Sequence, residues 1–224
     1  MPDYDAIVFD NDGVLVEPPS DETLRAAAQE AFRAVGVESP ADEHVADVER
    51  GVTSERLRAV CDAYGVDPDE FWTARDRHAV AGQRNEFRDG TRARYDDVAA
   101  VEELPHDFGL VSSNQHETIE FVLDHCEFAD WFGTHYGRAI GTESIDKKKP
   151  NPHFLDRAMA DLGAETGLYV GDSESDVVAA HRAGLDSVFV RRDHCHGVEL
   201  SVEPDYEVED LWGVAEIAGE SPGE

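Results

Sequence analysis

The chain has 224 residues, 41% of them hydrophobic, enough for one sizeable domain or for a core domain with a smaller insert. Fifty Asp and Glu stand against nineteen Lys and Arg, and the formal net charge of -31 makes a surface that repels nucleic acid and anionic membranes. No apolar run approaches the roughly 18 residues of a membrane span, and Met1-Pro2-Asp3-Tyr4-Asp5 has no basic segment followed by an apolar stretch, so the reading is a soluble, cytoplasmic protein.

The predicted elements begin with a short strand from Tyr4 to Phe9 that ends on Asp10. Helical periodicity follows over Asp21 to Val35, Ser54 to Tyr64 and Asp69 to Asn85, with a shorter piece over Ala41 to Val48. Gly36, Pro40, Gly51, Gly65 and Pro68 punctuate these pieces, and no strand is predicted among them. The pattern then changes. Tyr95 to Leu104 reads as a helix, Phe108 to Ser112 as a strand, Glu117 to Asp124 as a helix and Phe132 to Tyr136 as a strand. Next come a helix over Pro152 to Leu162, a strand over Leu168 to Val170, a helix over Ser175 to Ala183 closed by Gly184, and a strand over Ser187 to Val190. Tyr206 to Val208 and a helix over Leu211 to Ala218 complete the series.

Strands alternating with helices predict an α/β fold, a Rossmann-like parallel sheet with helices on both faces. The expected core comprises residues 1–17 and 89–224, and the expected insert is an all-helical cap over 18–88. Hinges are expected near Glu17-Pro18-Pro19 and Arg88-Asp89-Gly90. Cys61, Cys126 and Cys195 are too few and too scattered for a disulfide framework and read as small buried or half-buried thiols. The acids are spread through the helices, and the only lysines are Lys147, Lys148 and Lys149. This composition resembles that of proteins from salt-loving archaea, in which concentrated cations screen self-repulsion, so a halophilic source is expected.

In open parallel sheets, ligands bind beyond the carboxyl ends of the strands. Four polar clusters fall there: Asp10-Asn11-Asp12-Gly13, Ser112-Ser113-Asn114, Lys149-Pro150-Asn151-Pro152 and Gly171-Asp172-Ser173-Glu174-Ser175-Asp176. Each alone is weak, since Asp-x-Asp-Gly also forms turns and Ser-Asn is a common cap. Their order, spacing and shared location make the set specific.

Together the clusters resemble the motifs of the haloacid dehalogenase superfamily, in its helical-cap phosphatase branch of phosphoglycolate phosphatase-like and β-phosphoglucomutase-like enzymes. The motifs span residues 10 to 176. The resemblance implies that Asp10 attacks phosphorus to form an aspartyl phosphate, while Asp12 protonates the leaving oxygen and later takes a proton from water. It implies that Lys149 meets the charge on the phosphoryl oxygens and that Lys147 and Lys148 are surface neighbours. Ser112 is the preferred phosphate-binding serine and Ser113 its competitor, with Ser113 and Asn114 left as loop residues. Mg²⁺ is the implied cofactor, held by the Asp10 and Asp172 carboxylates and the Asp12 carbonyl, with Asp176 orienting a water or Lys149. For Asp176 the competing reading is a helix N-terminal acid. Arg50, between two cap helices, is placed to bind a substrate carboxylate or second phosphate, and a solvated surface arginine is the competing reading. His194-Cys195-His196 lacks a partner cluster with metal-ligand spacing and reads as loop residues.

The implied reaction is hydrolysis of a small phosphorylated metabolite, phosphoglycolate or a sugar phosphate. Asp12 argues against the dehalogenase branch, and a cap without lysine argues against imine-forming phosphonate hydrolysis. A β-phosphoglucomutase-like phosphomutase and a non-catalytic module on the same fold remain the alternatives. Neither nucleic acid nor membrane is expected as a partner.

Overall fold

The computed structural model describes residues 4–102 and 104–219. Met1 to Asp3 of the N-terminal reading, Glu103 of the helix expected over Tyr95 to Leu104, and the last residues of the expected core, 220–224, lie outside the described residues.

Ala6–Phe9 (β1) is apolar throughout and buried throughout, as a strand covered on both faces must be. Its side chains alternate between two cores. Ala6 and Val8 pack with Phe154, Leu155, Ala158 and Met159, whereas Ile7 and Phe9 pack with Val98, Val101, Ile119, Val122 and Leu211. Burying one such side chain contributes about 1.5–3 kcal/mol.

Four helices follow: α1 (Asp21–Ala34), α2 (Asp42–Glu49), α3 (Ser54–Tyr64) and α4 (Pro68–Asp89). They enclose a cluster of their own around Phe32, Phe71, Trp72, Leu57 and Val60, to which Ile145 is added from later in the chain. Ser20 caps α1 by accepting from the Thr23 amide, and Asp67 caps α4 ahead of Pro68. Gly90 ends α4 with φ at 71°, a conformation that glycine adopts without steric cost. The segments into and out of these helices run side by side. Glu17 N donates to Ala93 O at 2.9 Å, Arg92 Nε donates to Glu17 O at 2.6 Å, and Val16 bridges Arg94 in antiparallel fashion.

A single turn at Asp96–Val98 runs into α5 (Ala99–Glu102), where one continuous helix was expected. Then come β2 (Asp107–Gln115), α6 (His116–His125), β3 (Phe132–Arg138), α7 (His153–Leu162), β4 (Gly167–Gly171), α8 (Glu174–Ala183), β5 (Asp186–Val190), β6 (Tyr206–Val208) and α9 (Leu211–Gly219). The strands pair in parallel, in the order β3-β2-β1-β4-β5-β6. The chain starts in the middle, builds outward through β2 and β3, and returns to the other side of β1. Connections on either side of that switch diverge to opposite faces and leave a crevice beyond the ends of β1 and β4. Phe9 pairs with Val170, which sets Asp10 and Asp172 at the mouth of the crevice.

Two expectations need correction. Ser113 and Asn114 are not loop residues, because β2 continues to Gln115 with a register irregularity between Val111 and Gln115. Pairing resumes at Gln115 with Arg138, and the Asn114 side chain is pinned by Asp12 and Gln83. Lys148 is not a surface neighbour. A helical turn over Thr142–Lys147 leaves Lys147 exposed and sends the half-buried Lys148 inward, where its Nζ donates to Val52 O at 3.0 Å.

Candidate active site

Asp10 follows β1 directly and is buried at 6% exposure. Lys149 Nζ lies 2.9 Å from its Oδ1, but the hydrogen bonds of the ammonium go to Tyr169 Oη at 2.8 Å and to Asp176 at 2.5 Å. Asp10 Oδ1 thus meets the ammonium as an ion pair and accepts no well-directed hydrogen bond among the described residues. Burial pushes the Asp10 carboxyl well above the usual carboxylate range. Lys149 opposes this shift, and Asp176, Asp172 and Asp12 add to it. For Lys149, burial works against the charged form, but Asp10 and Asp176 outweigh it and hold the ammonium well above its ordinary value.

Asp176 occupies the third position of α8. Its Oδ2 accepts from Ser173 N at 3.0 Å and from Ser173 Oγ at 2.6 Å, which completes a capping box, while Oδ1 holds Lys149. Both its oxygens are thus engaged, one by the helix cap and the other by Lys149. Asp172 Oδ2 lies 2.6 Å from His194 Nε2. Burial raises the Asp172 carboxyl, and the His194 hydrogen bond pulls it down.

Each of Asp10, Asp172 and Asp176 brings an oxygen within 4.8 Å of the others. Three clustered carboxylates and one ammonium leave uncompensated negative charge, and Asp10 Oδ1 accepts no well-directed hydrogen bond among the described residues. Hard divalent cations such as Mg²⁺ take oxygen donors of this kind, so the cluster fits one.

Asp12 points elsewhere. Its Oδ1 accepts from Asn11 Nδ2 at 2.6 Å and pairs closely with Arg92, and its Oδ2 accepts from Asn114 Nδ2 at 2.7 Å. Arg92 NH1 and Asn114 Nδ2 both donate to Gln83 Oε1 on α4, at 3.0 and 2.7 Å. Gly13 sits at φ 81°, and a Cβ there would run into Asp172 Oδ2 and His194 Nε2, so no side chain fits.

A cavity of about 160 Å³ opens in front of Asp12. Asp12, Ser113 and Asn114 line it together with Leu24, Arg50, Trp72, Arg75 and Gln83 from the helices and Arg138, Ile145 and Lys148 from later in the chain. Ser112 is buried beside it, and its Oγ accepts from Asn114 N at 3.2 Å. Of the two serines, Ser113 faces the cavity and Ser112 backs it. Arg50 stands at the rim, where its side chain is 63% exposed and pairs with Asp21.

Sequence reasoning missed Arg92, Gln83, Tyr169, Lys148 and His194. For His194 a signal existed: in this sheet order the segment after β5 must lie beside the segment after β4. His194, read as a loop residue, lies in the turn over Asp193–Cys195 and reaches Asp172 from there. Cys195 is buried, and His196 is exposed.

The family pattern described as haloacid dehalogenase-like hydrolase matches residues 7–190. The chain belongs to that family. It is a phosphoric monoester hydrolase. The phosphoglycolate phosphatase of Vibrio cholerae is 29% identical over 225 residues, covering 94% of this chain and 95% of that protein. A predicted phosphoglycolate phosphatase from Haemophilus somnus has the same fold, with a TM-score of 0.68 and 21% identity over 97% of this chain and 99% of its own. So has CbbY of Rhodobacter sphaeroides in complex with xylulose-1,5-bisphosphate, with a TM-score of 0.68 and 19% identity over 93% of this chain and 95% of that one. No described helix is long and apolar enough to cross a membrane.

Proposed function

We propose that this hydrolase is a Mg²⁺-dependent phosphatase of a small phosphorylated metabolite, phosphoglycolate or a sugar phosphate, working through an aspartyl phosphate on Asp10. The observation that carries the reading is Asp10 itself, a buried carboxylate at the sheet's switch point, ion-paired with Lys149 at 2.9 Å and clustered with Asp172 and Asp176. Asp10, Asp172 and the Asp12 carbonyl would hold Mg²⁺, which when bound neutralises the carboxylates and the phosphoryl oxygens.

The Asp10 carboxylate attacks phosphorus, the ester P–O bond breaks, and Asp12 gives the departing oxygen its proton. Asp12 then takes a proton from the water that attacks phosphorus, which frees Asp10 and releases phosphate. Lys149 and the serine hydroxyls of Ser112 and Ser113 meet the charge that develops on the phosphoryl oxygens. Asp176 orients Lys149, and Asn114 and Arg92 position Asp12. The helices over 18–88 act as a cap that closes the cavity over the leaving group, and the cavity's small size supports a small substrate. The names of the curated relatives support phosphoglycolate.

The test is phosphate release from p-nitrophenyl phosphate and from phosphoglycolate with Mg²⁺, for the wild-type protein and Asp10→Asn. A loss of at least about a thousandfold is expected. Equal rates would refute the role of Asp10, and a phosphoryl group moved within a sugar phosphate without release would assign a phosphomutase instead.

A further inference from the structure

The cavity lined by Asp12 also carries charge of the sign less common in this protein. Arg75, Arg138 and Lys148 meet there, and the carboxylate among them is Asp76, at 0% exposure. Arg138 uses that carboxylate fully in a two-pronged pair. Two other cations near the cavity are also matched, Arg92 by Asp12 and Arg50 by Asp21. Lys148 remains, beside Arg75, which keeps a longer ion pair to the same Asp76. The hydrogen-bond partner of Lys148 is the Val52 carbonyl, which occupies one of its three donors. Arg75, at 4% exposure, donates to the carbonyls of Val48 and Glu49, and its NH1 stays 3.6 Å from Asp76.

Burying a cation with only carbonyl partners is costly. A chain with fifty acids and nineteen bases could match Lys148 with a carboxylate, as it matches Arg138, Arg92 and Arg50. Burial and the neighbouring Arg138 and Arg75 lower the Lys148 pKa, and burial lowers Arg75 to about 10. Asp146 and Asp76 act on Lys148 in the opposite direction without reversing the shift. Gly51 completes the arrangement, since a Cβ there would stand 3.0 Å from Lys148 Nζ and crowd the ammonium.

We propose that Lys148, backed by Arg75, binds a second anionic group on the leaving-group side of the substrate, a carboxylate or a further phosphate. The proposal rests on the phosphatase reading and narrows it. Of the small phosphate esters, those with a charged far end fit this wall, and those ending in neutral hydroxyls leave it unmatched. Both sources share one chemistry, an anion that takes the two free donors of Lys148 in a partly dry cavity.

The test compares esters of one skeleton: 2-phosphoglycolate, 2-hydroxyethyl phosphate and ethylene glycol bisphosphate. The wild-type enzyme is expected to prefer a charged ester over the hydroxyl ester by about tenfold or more in kcat/KM, the scale of one charge-assisted hydrogen bond. Whichever charged ester is preferred identifies the source. In Lys148→Met that preference falls by about tenfold, through KM, and Lys148→Arg keeps most of it. An unchanged preference in Lys148→Met overturns the proposal, as does an equal loss on all three esters. Calorimetry of the same esters on Asp10→Asn, with and without Lys148→Met, reads binding alone. If no ester turns over, the phosphatase reading fails, and the calorimetry still decides the role of Lys148.

Discussion

At the carboxyl ends of β1 and β4, three carboxylates, Asp10, Asp172 and Asp176, share one ammonium, Lys149. Under the helices, three cations, Arg75, Arg138 and Lys148, share one carboxylate, Asp76. The ratios are mirror images, and both places are sheltered from water. Each is short of a partner: the first lacks a cation and the second an anion. A divalent metal and a substrate with two anionic ends would complete both. The comparison teaches that ligand chemistry can be read from imbalance. Where charges are matched, as in Arg192 with Asp97, the pair holds the fold together.

The harshest way to break this comparison is to remove the lone carboxylate of the cationic region. Asp76→Ala leaves Arg138 and Arg75 buried without a counter-charge and is expected to lower stability by about 3–5 kcal/mol in urea unfolding. A loss under about 1 kcal/mol would mean that the region tolerates free charge.

The next test addresses the acidic region. Burial raises Asp10 and Asp172 above their unfolded values, so the folded protein binds more protons. The associated stability is fully present below the unfolded carboxylate pKa of about 3.9 and is lost as pH rises through the folded pKa. Without metal, Asp10→Asn should therefore melt above the wild-type protein at pH 7 and close to it at pH 4. Mg²⁺ at a hundred times its dissociation constant should return about 2.7 kcal/mol to the wild-type protein, with the gain shrinking toward acid pH. A metal-free Asp10→Asn that is less stable at pH 7 would overturn this account.

The smallest effect sharpens the picture at Asp172. His194→Ala should raise the Mg²⁺ concentration for half-maximal thermal stabilisation by about tenfold, because the ligating carboxylate loses its outer support. His194→Gln, which keeps an N–H donor, should retain most of the affinity. Equal behaviour of the two variants would show that His194 does not orient Asp172.

Much of the fold was legible because a parallel sheet makes local demands. β1 had to be apolar at every position, and Asp10 and Asp172 had to follow such runs. The four polar clusters were legible for the same reason, since strand ends converge on one edge. The strand that carries Ser113 and Asn114 was harder to delimit, because polar residues hide a strand that continues through an irregularity. Lys148 was hidden by its neighbours. Three successive lysines look alike, and only the helical turn over Thr142–Lys147 decides which one turns inward. Arg92 was hidden by distance, because its partner lies 80 positions earlier in the chain.

Arg92 has one further consequence. The same guanidinium holds the backbone of Glu17 in the paired connector, Gln83 on α4, and Asp12 in the lining of the cavity. A shift of α4 relative to that connector would act on Arg92, and with it on one of the anchors of Asp12. One side chain thus ties the connector and α4 to a single carboxylate. Small displacements far from phosphorus would be felt first as a change in how tightly that carboxylate is held.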